Sequence, residues 1–508
     1  MLRQNILANI MARGWGVISV YLFVPLYIKF LGIEAYGIIG FYSTLLGVLA
    51  FADMGFTAAL NREMARLSVR RDSAAEMRDL LRTYESTYLC ISSVLAVIIW
   101  ELAPVIASHW LRSKVLSPHE ISAAIRFMGV AIALQLPSGL YIGGLMGLQK
   151  QVRANFVQIA WGIFRGLGVI LVLWLCSATI FAFALWQLIS NAIYCLVARI
   201  SLWHVLPPSQ SQSQPHFRWQ VFRDTWRYAA GMAGMAVISA LLTQTDKLAV
   251  SKMLPLETFG YYALAGTLAT VPLMLASPIA LAVFPRLTGL VASEDFNGLT
   301  RLYHRTCALV AVGTIPAGVT AALFAGDLIG VWTGSTIIAH RAGLVASLLL
   351  GGQLLQALQS VPCCLALAHG SVKLNLQINI ASVLLITPLL LLLIIKYGIV
   401  GAGSSWLIMN LCTLPPYIYF LHRRFLPGEL QKWVLRDVMS PFLAAFPMIV
   451  LARLYLPLPL SRLLTLGEIG LVWSMSVVAA ACTIPELRIE FLKKIGRIPF
   501  APAEEFLL

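Results

Sequence analysis

Apolar runs of about 20 residues or more follow one another along nearly the whole chain, and they decide what it can become. A run of that length crosses the hydrocarbon layer as a helix. Irregular backbone facing lipid would leave its N–H and C=O groups unsatisfied. Hydrophobic residues make up 59% of the chain and charged ones 12%, with a mean hydropathy of +0.82. A soluble domain carries about 25% charged residues, so the sequence predicts an all-α polytopic membrane protein. Fourteen spans are expected, at 5–30, 35–60, 84–110, 121–148, 156–176, 179–205, 226–252, 258–285, 306–333, 341–368, 375–396, 399–421, 438–458 and 464–485. Connections of a few residues near 31–34, 177–178, 253–257 and 397–398 mark antiparallel hairpins.

The net charge of +15 would suggest nucleic acid in a soluble protein. Its distribution argues otherwise. With the N-terminus placed in the cytoplasm, the inner loops hold 25 of the 37 Lys and Arg and the outer loops 8. A three-to-one excess over all loops is the positive-inside pattern. It predicts cytoplasmic N- and C-termini and gives no reason to expect a nucleic-acid partner.

Two echoes divide the chain. Leu31-Gly32-Ile33-Glu34-Ala35-Tyr36-Gly37 returns as Leu254-Pro255-Leu256-Glu257-Thr258-Phe259-Gly260, 223 residues later. Val152-Arg153-Ala154-Asn155 returns as Val372-Lys373-Leu374-Asn375, 220 residues later. Two matches at nearly one offset predict two homologous halves, an arrangement that places a substrate site between repeats. The polar Pro/Ser/Gln stretch at 206–217 falls where the break belongs. The expected organisation is a six-helix lobe over 1–205, a cytoplasmic linker over 206–225, a second six-helix lobe over 226–421, an added hairpin over 437–485 and a cytoplasmic tail over 486–508. The stretch 61–82 could form a short basic helix on the membrane surface or simply a solvated basic loop.

Charges inside the spans single out candidate site residues: Arg13, Arg126, Arg165 and Lys247, with Asp53 and Asp246. Each costs on the order of 3 kcal/mol at a helix centre, so each needs a partner or a watery cavity. Arg165 lies deepest, about 14 Å into span five. Arg13 and Asp53 sit at similar depth in one hairpin and could pair, or serve substrate and ion coupling. Arg126 and Lys247 lie nearer the outer face, where snorkelling to the headgroups is the simpler reading. Asp246 and Lys247 point about 100° apart. The positive bias favours an anionic substrate, and a diphosphate suits arginine forks.

No P-loop, H-E-x-x-H or G-x-S-x-G motif is present, so no catalytic or metal site is expected and no cofactor is implied. Transport without a nucleotide site would run downhill or on an H+ or Na+ gradient. The eight cysteines lie in apolar runs without C-x-x-C spacing and read as small buried side chains. The eight histidines fall in loops and at helix ends. The N-terminal stretch, with Arg13 inside its apolar run, does not read as a cleavable signal peptide.

The opening N-I-L-A-N-I-M-A-R-G-W, then V-P-L-Y-I-K-F-L-G-I-E-A-Y-G-I-I-G-F, D-M-G-F and N-R-E-M-A-R, resemble the Wzx-like polysaccharide-repeat flippases of the multidrug/oligosaccharidyl-lipid/polysaccharide exporter superfamily. Q-T-D-K-L-A-V-S-K-M-L-P-L-E-T-F-G-Y-Y-A-L and F-P-R-L fit the second-half pattern. The resemblance covers the first twelve spans and is sharpest at the repeat motifs. It implies two six-helix lobes around a central cavity that opens alternately to either side of a bacterial inner membrane. The implied substrate is an undecaprenyl-diphosphate-linked oligosaccharide moved to the periplasmic leaflet, in the company of a polysaccharide polymerase and a chain-length regulator. Asp53 and Asp246 fall within the family's patterned stretches; Arg165 does not. The alternatives are a multidrug antiporter of the same fold and a non-transporting scaffold for glycan assembly, with a membrane glycosyltransferase behind both.

Overall fold

The computed structural model describes residues 2–70, 73–208, 215–455 and 461–485. Residues 209–214 of the expected linker and the whole tail over 486–508 lie outside these residues. Among the described residues there is no strand, only an isolated bridge between Arg112 and Pro255. Among the described residues, eleven helical stretches are long and apolar enough to cross a membrane, and the chain is a multi-pass membrane protein. Contacts divide it into Met1–Gly260 and Tyr261–Leu508, whereas the sequence reading drew its boundary at the linker.

The first unit opens with α1 (Leu2–Leu49), which holds a non-helical Gly32 at φ 81° and ψ 168°. This is one of the four expected turns. A left-handed φ suits glycine, which has no Cβ to clash with the backbone. A 3-10 turn (Ala50–Asp53) follows, and then α2 (Phe56–Ser68). Span two, expected to run unbroken over 35–60, is therefore interrupted: Met54 and Gly55 both take left-handed φ, 48° and 73°. The basic stretch beyond it starts as the amphipathic α2. Phe56, Leu60, Met64 and Leu67 are buried along one face, while Arg62 and Arg66 are exposed. That i, i+4, i+8, i+11 spacing packs α2 against α3 (Ala74–Val105), α4 (Pro118–Gly147) and α6 (Ile180–Val205), through Tyr84 and Tyr88, Leu140 and Tyr141, and Ala198 and Leu202. Ser117 caps α4 reciprocally with Glu120, and Pro118 stands in its first turn, the arrangement expected of a strong helix start. α5 (Gln151–Leu175) and α7 (Trp219–Met253) complete the unit, with the first turn of α8 (Leu256–Ala269). Part of α7 has side chains outside the described residues.

The two copies of the repeated motif meet inside this unit. A Cβ on Gly37 would come within 2.6 Å of the Leu256 carbonyl oxygen, and one on Gly260 would come closer still to the Ile33 carbonyl oxygen. The contact is reciprocal, because 33 and 37 map to 256 and 260 at the 223-residue offset. Small residues let helices approach this closely in lipid, where apolar burial drives no association. Around the contact, Leu256 N–H donates to the Arg112 carbonyl at 2.8 Å, the Glu34 carboxylate accepts the Lys114 N–H at 2.7 Å, and Trp110 Nε1 donates to Ser251 Oγ at 3.1 Å.

The second unit runs through α9 (Val271–Ala292), α10 (Phe296–Leu323), α11 (Ala325–Thr333), α12 (Thr336–Leu358) and α13 (Ser360–Ala368). α14 (Val372–Phe425) turns back on itself at Gly398, φ 58° and ψ −135°, again where a turn was expected. A short α15 (Leu430–Lys432), a π turn (Trp433–Met439), α16 (Ser440–Tyr455) and α17 (Arg462–Cys482) follow. The spans expected at 258–285, 306–333 and 341–368 are each divided, at Thr270, Phe324 and Gln359. α10 is the most enclosed, with 78% of its most apolar window buried. Its small face, Ala308, Ala311 and Ile315, takes Ala445, Ile449, Ile469 and Val472 from α16 and α17, so the C-terminal hairpin packs as part of this unit's core.

Gly260→Leu should cost about 1–3 kcal/mol, because backbone stands where the side chain would go. Thermal unfolding of the purified protein should show a clear drop for this variant, and near wild-type behaviour for Gly266→Leu, where a Cβ would meet nothing within 4 Å.

Candidate functional site

The left-handed turn at Met54–Gly55 places Asp53 at the start of α2. Tyr88 of α3 donates its hydroxyl to Asp53 Oδ1 at 2.6 Å, and Thr57 Oγ1 donates to the same oxygen. Tyr88 is fully buried. The acid is thus held by two hydroxyls. Arg13 lies in α1 but its side chain is outside the described residues, so the expected Arg13–Asp53 pair is too.

Arg165 projects from α5 over the ring of Trp161, one helical turn earlier, with its guanidinium carbon 4.7 Å from the ring centroid. Trp161 in turn stacks on Tyr194 of α6 at 4.4 Å and 17°. The peptide carbonyl of Arg165 accepts from Trp186 Nε1 at 3.2 Å. Tyr27 and Tyr42 of α1 lie within electrostatic reach of the guanidinium. Two polar atoms nearby, Gln187 Oε1 and Trp161 Nε1, are buried with no hydrogen-bond partner among the described residues, and the Tyr42 hydroxyl lies against the Asn191 side chain. Asn191 uses its amide N–H on the Gln187 carbonyl, 2.8 Å away. A guanidinium held over an aromatic face makes no hydrogen bond there and keeps its N–H donors for an oxyanion.

The other predicted charges are dispersed. Arg126 of α4 donates to the Trp100 carbonyl at 3.3 Å, with its guanidinium carbon 5.1 Å from that indole. Lys247 of α7 donates to the Thr243 carbonyl at 3.2 Å and to Gln244 Oε1 at 3.1 Å. Asp246 is half-buried on the same helix. Among the described residues none of Arg126, Arg165 and Lys247 forms an ion pair. Rings and peptide carbonyls hold them instead.

Two buried networks escape a reading of the sequence. In the first unit the enclosed Glu85 carboxylate accepts from Tyr141 at 2.7 Å, from Arg82 at 3.0 Å and from Arg199. Nearby, Asp79 accepts from Arg218 at 2.7 Å, and the Pro207 carbonyl accepts from Arg78 at 3.0 Å, so the described residues on either side of 209–214 are tied to α3. In the second unit His304 of α10 lies between Asp437 at 2.5 Å and Glu429 at 2.9 Å, while His422 meets the Tyr303 hydroxyl at 3.3 Å. His304 and His422 are both buried; His422 stands in the last turn of α14, as expected of a helix-end histidine, whereas His304 lies in the third turn of α10. Both ring nitrogens of His304 face carboxylates. The acids lie 133 and 125 residues from the histidine, so no local spacing announces them. Glu85 did leave a signal: an acid near the start of a span that, Glu101 apart, carries no other acid.

Comparison with known proteins places the chain. A family described as polysaccharide biosynthesis protein matches residues 2–291, more than half of the sequence. The chain belongs to that family. A Shigella flexneri protein named "Putative O-antigen transporter" is 24% identical over 377 residues, covering 74% of this chain and 87% of that protein. Among solved structures, the lipid II flippase MurJ in an inward closed conformation superposes with a TM-score of 0.71 at 13% identity, covering 97% of this chain and 99% of that one. An inward-facing multidrug resistance MATE family transporter of the MOP superfamily gives 0.67 at 12% identity, covering 82% and 95%. At these identities the structural likeness is one of fold. The family membership agrees with the sequence resemblance, and the fold is MATE/MurJ-like.

Two predictions follow from these geometries. Tyr88→Phe removes a hydrogen bond to a carboxylate and should cost about 1.5–3 kcal/mol in thermal unfolding. An unchanged melting temperature would mean that Asp53 is held by something else. In the second unit, burial pushes the Glu429 carboxyl up, but Lys432 and His304 outweigh it and hold the group below its ordinary value of 4.5. A depressed folded value stabilises above the unfolded one, and that stabilisation is lost as the pH falls through the folded value. Glu429→Gln should therefore lower the melting temperature at neutral pH, and the gap to wild type should close below pH 4.5.

Proposed function

We propose that this protein is a flippase for undecaprenyl-diphosphate-linked oligosaccharide repeat units, moving them from the cytoplasmic to the periplasmic leaflet of a bacterial inner membrane by alternating access. The observation that carries this reading is Arg165: a cation deep in a span, without an acidic partner among the described residues, stacked on Trp161. An unpaired guanidinium in hydrocarbon needs an anion, and a diphosphate supplies oxygens spaced for its fork. The buried polar side chains of Tyr42, Gln187 and Asn191 suit sugar hydroxyls. Family membership and the name of the Shigella relative support the same substrate class.

In this reading Arg165 engages the diphosphate, with Arg13, Arg126 and Lys247 as further positive charge along the path. Asp53 and Asp246 balance those charges or exchange a proton or Na+ during the cycle. A polysaccharide polymerase and a chain-length regulator would receive the product. A multidrug antiporter would want an open aromatic face for its cation, whereas Trp161 is already engaged by Arg165 and Tyr194.

Deletion of the gene in its host should abolish surface polymer and leave the lipid-linked unit on the cytoplasmic side. Wild type should restore it and Arg165→Ala should not, although the variant reaches the membrane. Unchanged glycan with altered sensitivity to cationic dyes would replace this reading with the antiporter.

A further inference from the structure

The two halves of α14 run antiparallel from the turn at Gly398 and separate towards their far ends. Leu374, Ile378, Ala381 and Leu385 recur along one face of the first half, and Cys412, Pro416 and Phe420 along the second. Between them lies a cleft of about 760 Å³, within the range of small-molecule pockets. From Leu374 to Leu385 it follows about 16 Å of helix. Its lining is mostly apolar, and Arg423 and Arg424 stand at one end.

The opening has an identifiable cause. At the 220-residue offset, Ala381 and Ser382 stand where α5 carries Trp161 and Gly162. In the first unit the Trp161 ring packs flat on Tyr194; in α14 no ring is there to fill the space. Leu384, Leu385 and Phe420 beside the cleft are 69%, 72% and 51% exposed, as apolar side chains that face lipid are, and the cleft opens among them.

Two solvated arginines next to a packing gap would be the plainer account. Their surroundings fit a ligand better. Arg423 reaches only the Tyr419 hydroxyl, at 3.5 Å, and Arg424 lies over Phe425, 5.3 Å from its centroid. Neither forms an ion pair among the described residues. Adjacent free guanidinia at the end of an apolar, laterally open cleft complement a phosphate that carries a hydrocarbon chain. We infer that this cleft binds an anionic glycerophospholipid of the surrounding leaflet, one acyl chain between the halves of α14 and the phosphate on Arg423 and Arg424. The inference is independent of the substrate proposed above.

The test uses the full chain, purified in mild detergent and stripped of lipid. Native mass spectrometry then reads the retention of phosphatidylglycerol, of phosphatidylcholine with the same chains, and of undecaprenyl phosphate. Phosphatidylglycerol should be retained at least about tenfold better than phosphatidylcholine, a difference of about 1.4 kcal/mol. The double variant R423Q/R424Q should erase that preference, and R423K/R424K should keep part of it. Ala381→Trp should abolish retention with helical circular dichroism unchanged; if it misfolds, Ser382→Leu narrows the same cleft more gently. Equal retention of the two phospholipids, or a preference that survives R423Q/R424Q, would overturn the inference. So would a preference for undecaprenyl phosphate that R423Q/R424Q abolishes and Arg165→Ala leaves intact, which would give the cleft to a polyprenyl chain.

Discussion

The close approach of Gly37 and Gly260 to each other's motif is the constraint on which the first unit depends. In lipid, helices gain little from burying apolar surface against one another, so backbone proximity and satisfied polar groups decide which of them associate. Two hydrogen atoms in place of side chains allow carbonyl oxygens of one copy to lie against Cα atoms of the other. Glu34, Arg112, Lys114 and Ser251 then tie the adjoining turns together. What is an echo in the sequence is a reciprocal contact in the molecule.

With the backbone held there, the charges settle by a common rule. Arg126, Arg165 and Lys252 each lie over an aromatic ring. Carboxylates buried towards helix ends behave differently: Glu85 and Asp437 gather cations or an imidazole around them. The first arrangement leaves a cation available to a visiting anion, and the second closes the charge off. That contrast separates the residues suited to handling a substrate from those that hold helices together.

Much of this architecture is legible in the order of residues, for physical reasons that also mark where legibility ends. The turns at Gly32 and Gly398 can be read because apolar runs too long for one crossing must fold back, and glycine stands at the point of reversal. The left-handed pair Met54–Gly55 is masked by the apolar residues on both sides, so α2 merges with the span before it. The depth of Arg165 can be counted along its span, and Trp161 four residues earlier is a readable partner on the same face. His304 carries no such clue, since its partners arrive from a helix more than a hundred residues away. Pairing across that distance is a property of packing rather than of spacing.

The last hairpin also bears on how the protein is made. α16 and α17 leave the ribosome after the helices they pack on, and domains generally order themselves as they emerge. Until they insert, Ala308 and Ala311 of α10 lack the side chains that cover them. The interior of the second unit therefore waits for this hairpin. Chains that stop before it would leave a small-residue groove open inside the bilayer, a feature by which membrane quality control could tell an unfinished copy from a finished one.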